Sequence, residues 1–312
     1  MDVIHFPDDP RPPRWTRPVL ALGNFDGLHR GHRKILDRVC RVASERSATP
    51  VVMTFDPHPP RVVRADKAPA LLMTKAQKID AFADAGLQGA AIVRFTLEMS
   101  RWDPETFVQT VLVDWLRVAE VWVGANFLFG HDRTGNFSLL RTLGVRYGFK
   151  AEKIDPVRYK DFVVSSTRIR RLIGEGRMDE ARALLGHQYY IEGRVVHGDE
   201  RGRTLGFPTA NICSENELPP PHGVYATNVT LDGVVLPSVT NVGTRPTVSG
   251  SGTTTIETHI FDLNRDLYGA EVRVGFVQRL RDERTFESLD LLKAQIAADC
   301  TRARVLFGHL SL

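Results

Sequence analysis

The sequence predicts an α/β chain in two parts: a parallel sheet with helices on both faces, then an antiparallel barrel accompanied by one long helix. Three observations predict it. Through the first half, short apolar runs alternate with stretches whose apolar residues recur at helical spacing, which is the pattern of βα units. After Gly186, β-branched runs follow one another across short turns, which is the pattern of an antiparallel barrel. A length of 312 residues is long for one core and suits two domains, expected here as 1–185 and 186–312.

Met1 to Pro18 is polar and proline-rich with no apolar core. Val19 to Leu22 then reads as a strand, Gly23 to His32 as a tight turn, and Ile35, Leu36, Val39, Val42 and Ala43 as one face of a helix. Val51 to Phe55 is a β-branched run that must end at Asp56-Pro57-His58-Pro59-Pro60, because proline cannot continue a paired strand. A helix over Thr74 to Ala85, a strand over Ala90 to Phe95 and a helix over Pro104 to Leu116 follow, the last opened by its proline. Glu120 to Val123 is a strand leading into Gly124 to Gly130. Phe162-Val163-Val164 runs straight into Ser165-Ser166-Thr167-Arg168-Ile169-Arg170, and Met178 to Leu185 is a short helix. Beyond the boundary, Tyr189–His197, Gly223–Leu231, Val234–Asn241, Thr254–Phe261 and Val272–Leu280 read as strands, with Asp232-Gly233 as a hairpin turn. A helix over Glu287 to Phe307 is expected to pack on the barrel through Leu291, Leu292, Ile296, Val305 and Leu306.

Bulk composition excludes several classes. With 42% hydrophobic and 25% charged residues, this is the make-up of a globular protein. The formal charge of +4 is too small for the basic stripe of a nucleic-acid binder, and the basic residues cluster locally, as at Arg168, Arg170 and Arg171 or Arg201 and Arg203. An OB-like nucleic-acid-binding barrel would also alternate aromatic and basic residues on exposed strands, whereas these strands carry mostly aliphatic residues and threonine. Cys40, Cys213 and Cys300 are far apart and lack metal-type spacing, so neither a disulfide framework nor a zinc site is indicated. Nowhere do 18 apolar residues run together. A cytoplasmic protein acting on small molecules, with no membrane or nucleic-acid partner, is the expectation; nothing in the sequence sets its oligomeric state.

The turn Gly23-Asn24-Phe25-Asp26-Gly27-Leu28-His29-Arg30-Gly31-His32 is a candidate phosphate site, set against the plainer reading of a glycine-rich βα loop with surface histidines. It lies between a strand and a helix, where free helix N–H groups attract anions. Gly23, Gly27 and Gly31 allow close approach of backbone to a ligand, and His29 and His32, three apart, can stand on one face of the first turn. Neither the dinucleotide fingerprint nor the P-loop occurs, so another cradle is in use. In the second half, Gly198-Asp199-Glu200-Arg201-Gly202-Arg203-Thr204-Leu205-Gly206-Phe207-Pro208-Thr209-Ala210-Asn211 joins two strands. On an extended segment Thr209 and Asn211 point the same way, offering a hydroxyl and an amide oxygen that suit Mg²⁺, which takes the rest of its shell from water and substrate phosphates. Glu257, flanked by Ile256 and Thr258, faces outward in the ordinary case; pointing inward near that loop it would serve as a base toward an attacking alcohol.

The His-x-Gly-His turn resembles the phosphate motif of the nucleotidylyltransferase superfamily, and its longer Gly-x-Phe-Asp-Gly form resembles the FAD synthetase branch. Gly-Phe-Pro-Thr-Ala-Asn at 206–211, Asn-Val-Gly-Thr-Arg-Pro-Thr at 241–247, Glu-Thr-His-Ile at 257–260 and Leu-Tyr-Gly at 267–269 resemble the riboflavin kinase domain. Together they are similar to the prokaryotic bifunctional riboflavin kinase and FAD synthetase family from about Val19 to Phe307. The resemblance implies a Rossmann-like nucleotidylyltransferase domain followed by the kinase barrel, with ATP, riboflavin, FMN and FAD as substrates or products. It places Mg²⁺ on Thr209 and Asn211, the kinase base on Glu257, and Gly198, Arg203, Gly206 and Pro208 around the ATP of that step. For adenylyl transfer it implies His29, His32, Ser166, Thr167 and Arg170 as the residues that bind and activate ATP, along the Gly23, Phe25, Asp26, Gly27 and Gly31 loop. His58 and Asn126 lie near that site in the family, where many relatives carry aspartate at the latter position. A chain retaining only one of the two activities is the nearest rival.

Overall fold

The computed structural model describes residues 1–198, 206–245 and 253–308. The chain divides into two compact units, Met1–Leu71 with Lys75–Ser165, and Leu72–Thr74 with Ser166–Leu312.

The first unit is built on a six-stranded parallel sheet. Its strands are β1 (Asp2–Phe6), β2 (Val19–Leu22), β3 (Pro50–Asp56), β4 (Gly89–Arg94) and β5 (Glu120–Gly124). After the two-residue strands β6 (Leu128–Phe129) and β7 (Gly135–Asn136) comes β8 (Lys150–Ile154). The order across the sheet is β1-β4-β3-β2-β5-β8. From β2 the chain walks outward through β3 to β4, then returns to the other side of β2 as β5. The winding therefore reverses between β2 and β5, and in such sheets ligands bind beyond the carboxyl ends of the strands at that reversal. Leu20, Leu22, Val51, Met53, Val121 and Val123 pack on one face with Phe107, Leu112 and Leu140. Helix α1 (Arg30–Glu45) packs on β2, β3 and β5 through Ile35, Leu36, Val39, Val42 and Ala43, as its spacing predicts.

Helix α2 (Pro59–Val63) follows β3, and α3 (Lys75–Asp84) precedes β4. The helix expected over Pro104 to Leu116 is α4 (Pro104–Phe107), which widens into a π-type coil over Val108–Trp115. Asp103 caps it by accepting from the amides of Glu105 at 2.9 Å and Thr106 at 3.0 Å. Strand β1 corrects the reading of the N-terminus as mere polar lead-in. Only Ile4 is buried in that strand, and what holds the segment is long-range: parallel pairing with β4, and a buried Trp15 whose Nε1 donates to Asp2 at 3.0 Å. The sequence reading also passed over α5 (Phe137–Tyr147), capped by Asn136, which accepts from the Leu139 amide at 3.0 Å. The small hairpin β9 (Arg158–Tyr159) and β10 (Phe162–Val163) leads toward Ser165.

The second compact unit includes α6 (Ser166–Gly174) and α7 (Met178–Leu185). Met178, Ala181, Leu184 and Leu185 are buried on α7, which packs on strands β11 and β16 of the barrel that follows. Gly186 ends it at φ +89°, the left-handed cap that glycine adopts without strain. The barrel is closed and antiparallel, in the order β11 (Tyr189–Val196), β12 (Ala210–Ser214), β15 (Thr253–Ile260), β14 (Val234–Arg245), β13 (Gly223–Leu231), β16 (Glu271–Arg281). Strand β12 is the one that the sequence reading treated only as an extended segment. Inside, the hydroxyls of Thr227, Ser238, Thr240 and Thr258 bond one another at 2.7–2.9 Å, which satisfies polar groups that would otherwise destabilise a barrel interior.

The C-terminal helix, Leu289–Gly308, packs on the outside of the barrel with a face that takes in Ile296 and Leu306 of the expected set but not Leu291 or Val305. Ile296, Cys300, Ala303 and Phe307 lie at 4, 3 and 4 residue intervals and meet Val224, Ala226, Val239 and Phe261. Leu306 and Ile296 are only partly covered, and Leu291 and Val305 are 53% and 57% exposed. Ala303, fully buried in that stripe, lets the helix approach the barrel closely. Arg281 of β16 bonds Asp299 of the helix at 2.8–2.9 Å and fixes its rotation.

Candidate active sites

The turn after β2 builds the first pocket. Its backbone is strained: Phe25 sits at φ +47° and Leu28 at φ +38°, conformations unfavourable for bulky residues, with Gly27 at +82° between them. The Asn24 carbonyl accepts two hydrogen bonds, from Thr54 Oγ1 at 3.0 Å and from Lys78 Nζ at 3.1 Å. Phe25, fully buried, presents its edge to the His32 ring at 5.3 Å and to Phe82 at 5.9 Å. Gly23 lies close beside it, where a Cβ would fall 3.3 Å from the Phe25 ring.

His29 caps α1. Its Nδ1 accepts from the His32 amide at 3.2 Å, so the neutral ring carries its proton on Nε2. The two imidazoles stack at 3.6 Å with 14° between their planes, as the three-residue spacing predicts. Gly31 lets them do so, because a Cβ there would lie 3.1 Å from the His29 ring. His32 Nδ1 is buried without a hydrogen-bond partner. Burial, then the neighbouring His29 and the Lys78 ammonium, hold the His32 imidazole well below its ordinary pKa of 6.5. Asp26 is buried in the same turn. His58 is nearly buried at the head of α2 after β3, and Asn126 is exposed in the turn after β5. These are the two strands flanking β2, so His58 and Asn126 stand on either side of the histidine turn at one edge of the sheet. Ser166, Thr167 and Arg170 belong to the second unit, in the first turns of α6, where Ser166 and Arg170 are half-buried and Thr167 is exposed.

The second pocket is on the barrel. Register sets Asn211 of β12 directly opposite Glu257 of β15, and Glu257 opposite Asn241 of β14, so the three share one face. Burial alternates along β15: Ile256, Thr258 and Ile260 fill the barrel, and Glu257 stands half-buried outside it. The inward orientation considered from sequence is therefore not the one adopted. The Asn211 amide lies against Gly198 so closely that a Cβ there would meet its Nδ2 at 2.1 Å and its Oδ1 at 2.7 Å. Thr209, immediately before β12, lines a cavity of about 450 Å³ with Val195, Pro208, Thr258 and Tyr268 at the barrel mouth. Tyr268 stacks on His197 at 3.7 Å. Gly206 is described and exposed; Arg203, the remaining expected contact, lies outside the described residues.

Comparison with known proteins settles the family. A family model for FAD synthetase matches residues 11–168, and one for riboflavin kinase matches residues 185–307. The bifunctional riboflavin kinase/FMN adenylyltransferase of Escherichia coli K12 is 42% identical over 291 residues, 93% of this chain and 93% of that protein. This chain belongs to that bifunctional family. The protein of the same name from Bacillus subtilis is 35% identical, with 95% of this chain and 94% of the other covered. A solved structure described as a macrolide-efflux protein from Streptococcus pneumoniae superposes with a TM-score of 0.88 at 28% identity, covering all of both chains. That description belongs to the other protein; among the described residues here, no helix is long and apolar enough to cross a membrane.

Within the bifunctional family's frame, two features of the first pocket escaped sequence reading. Lys78 is 8% exposed beneath the histidine turn. An aromatic wall runs along the same sheet edge: Phe55 meets Phe95 at 5.7 Å and Phe107 at 6.3 Å, Phe129 meets Phe107 at 5.9 Å, and Phe127 stacks on Phe129 at 5.4 Å. The available signal was positional, since Phe55 and Phe95 each end a strand and Phe127 follows one. Asn136, in contrast, is a helix cap and needs no ligand role.

Proposed function

We propose that this chain makes FMN from riboflavin on the barrel and FAD from FMN in the histidine pocket, with the domain division at about Gly186. The kinase step moves the γ-phosphoryl of ATP to the terminal ribityl hydroxyl of riboflavin. That oxygen bonds phosphorus as the bond to ADP breaks, and Glu257 takes the hydroxyl proton. Thr209 and Asn211 would hold Mg²⁺. Neutral oxygens beside a single carboxylate suit an ion that draws its other ligands from phosphate and water, and the bound ion would neutralise charge on the triphosphate. Gly198 seats Asn211, while Gly206, Pro208 and Arg203 border the nucleotide, whose nucleoside the cavity beside Thr209 would accept. The observation that carries this reading is the Asn211–Glu257 pairing, which sets amide and base side by side on one face.

Adenylyl transfer breaks a different bond. An oxygen of the FMN phosphate attacks the α-phosphorus of ATP, and pyrophosphate leaves. His29 and His32 donate to phosphate oxygens, while Gly23, Phe25, Asp26, Gly27 and Gly31 shape the turn around them. His58 and Asn126 border the reacting phosphates. For Ser166, Thr167 and Arg170, the family's motif and their place at a helix start support a role in binding ATP. The aromatic wall suits the flat isoalloxazine ring of FMN. Three free cysteines support a reducing, cytoplasmic setting.

The test is direct. Purified protein incubated with riboflavin, ATP and Mg²⁺ is expected to form FMN and then FAD, resolved by chromatography, and EDTA is expected to stop FMN formation. Absence of both products with Mg²⁺ present would refute the reading.

A further inference from the structure

We infer that Lys78 is a positioning residue for adenylyl transfer, fixing the His32 imidazole through the Asn24 carbonyl and the Phe25 ring. The inference rests on the assignment of that reaction to the His29–His32 pocket. The path is short and continuous. Lys78 Nζ and Thr54 Oγ1 donate to the same carbonyl, at 3.1 and 3.0 Å. That carbonyl belongs to the peptide whose plane sets the φ of Phe25, and Phe25 is held at +47°, where a bulky side chain does not rest unaided. The edge of the Phe25 ring then abuts His32 at 5.3 Å. Released from its two donors, the peptide can relax to negative φ, and the ring that braces His32 swings with it.

A buried ammonium is a costly way to supply one donor. A neutral side chain would satisfy the carbonyl with less desolvation, so the charge itself has a use. Burial lowers the Lys78 pKa from 10.5, and the carboxylates of Asp26 and Asp56 oppose that, favouring the charged form; Asp56 is in turn paired with Lys75 at 2.9 Å. On the α1 side the groups that face it electrostatically are His32 and, stacked on that ring, His29. A cation at this point adds to burial in keeping His32 neutral.

The variants Lys78→Met, Lys78→Gln and His29→Ala are compared with the parent for FMN-to-FAD conversion and for riboflavin phosphorylation in the same preparations. Lys78→Met is expected to lower the kcat of FAD formation by about 100-fold, the loss typical of a misplaced catalytic group, with riboflavin phosphorylation within about twofold of the parent. Lys78→Gln, a neutral donor, is expected to recover part of that kcat. In both, the acidic limb of the pH profile for FAD formation is expected to move to higher pH. The sign follows from removing a positive neighbour, which lets His32 protonate more readily. If Lys78→Met forms FAD within about threefold of the parent and its acidic limb does not move, while His29→Ala has lost FAD formation, Lys78 has no such role and the pocket assignment survives. If His29→Ala also keeps the parental rate, the pocket assignment itself fails. Should Lys78→Met not accumulate as folded protein, Lys78→Gln is read by the same criteria, and equal loss of both activities there contradicts a local role.

Discussion

At Gly198, one absent methyl group decides where a proposed metal ligand sits. A Cβ there would fall within 2.1–2.7 Å of the Asn211 amide and carboxamide carbon. The displaced atoms are the free end of a side chain, so the strain is relieved by rotation and not by moving backbone. Gly198→Ala is therefore expected to change thermal stability little while raising the Mg²⁺ concentration needed for riboflavin phosphorylation about 10- to 100-fold, as misoriented ligands do. A Mg²⁺ titration of the kinase rate checks it, and an unchanged midpoint would remove Asn211 from the metal site. The pairing of His29 with His32 was legible in sequence because their spacing is local, one helical turn. Lys78 was not legible. A lysine in an ordinary amphipathic helix reads as solvated, and only the placement of α3 against the histidine turn buries it.

At the scale of elements, Gly89 makes a useful contrast. A Cβ at this first residue of β4 would lie 2.3 Å from the Trp15 ring, which is 1% exposed and cannot rotate away. Gly89→Ala is thus expected to cost about 1–3 kcal/mol through overpacking, seen as a lower denaturation midpoint; an unchanged midpoint would mean that Trp15 does not anchor β1 as described. Strands β2 to β5 and helix α1 were readable because each buries its own apolar pattern. The helix Met178–Leu185 was read with its observed bounds. Strand β1 was not, since one buried residue in five gives no pattern and its parallel partner β4 is remote in sequence. The C-terminal helix was located correctly but its face was misjudged, because Leu291 and Val305 are larger than the Cys300 and Ala303 that the barrel surface accommodates.

At the scale of the whole chain, two cradles of unlike chemistry occupy two compact units: stacked imidazoles at a sheet edge in one, and an amide facing a carboxylate on a barrel in the other. The fold class was legible because the change from alternating βα units to successive β-runs is a change in periodicity. The packing of α7 was not, because its sequence does not say which sheet its apolar face will cover. The central claim is that each cradle performs one transfer. The measurement that tests it most directly is the product spectrum of Glu257→Ala and His29→Ala with riboflavin, FMN, ATP and Mg²⁺. Glu257→Ala is expected to make FAD from supplied FMN but no FMN from riboflavin, and His29→Ala to accumulate FMN from riboflavin without making FAD. Loss of both activities in either folded variant would contradict two independent sites.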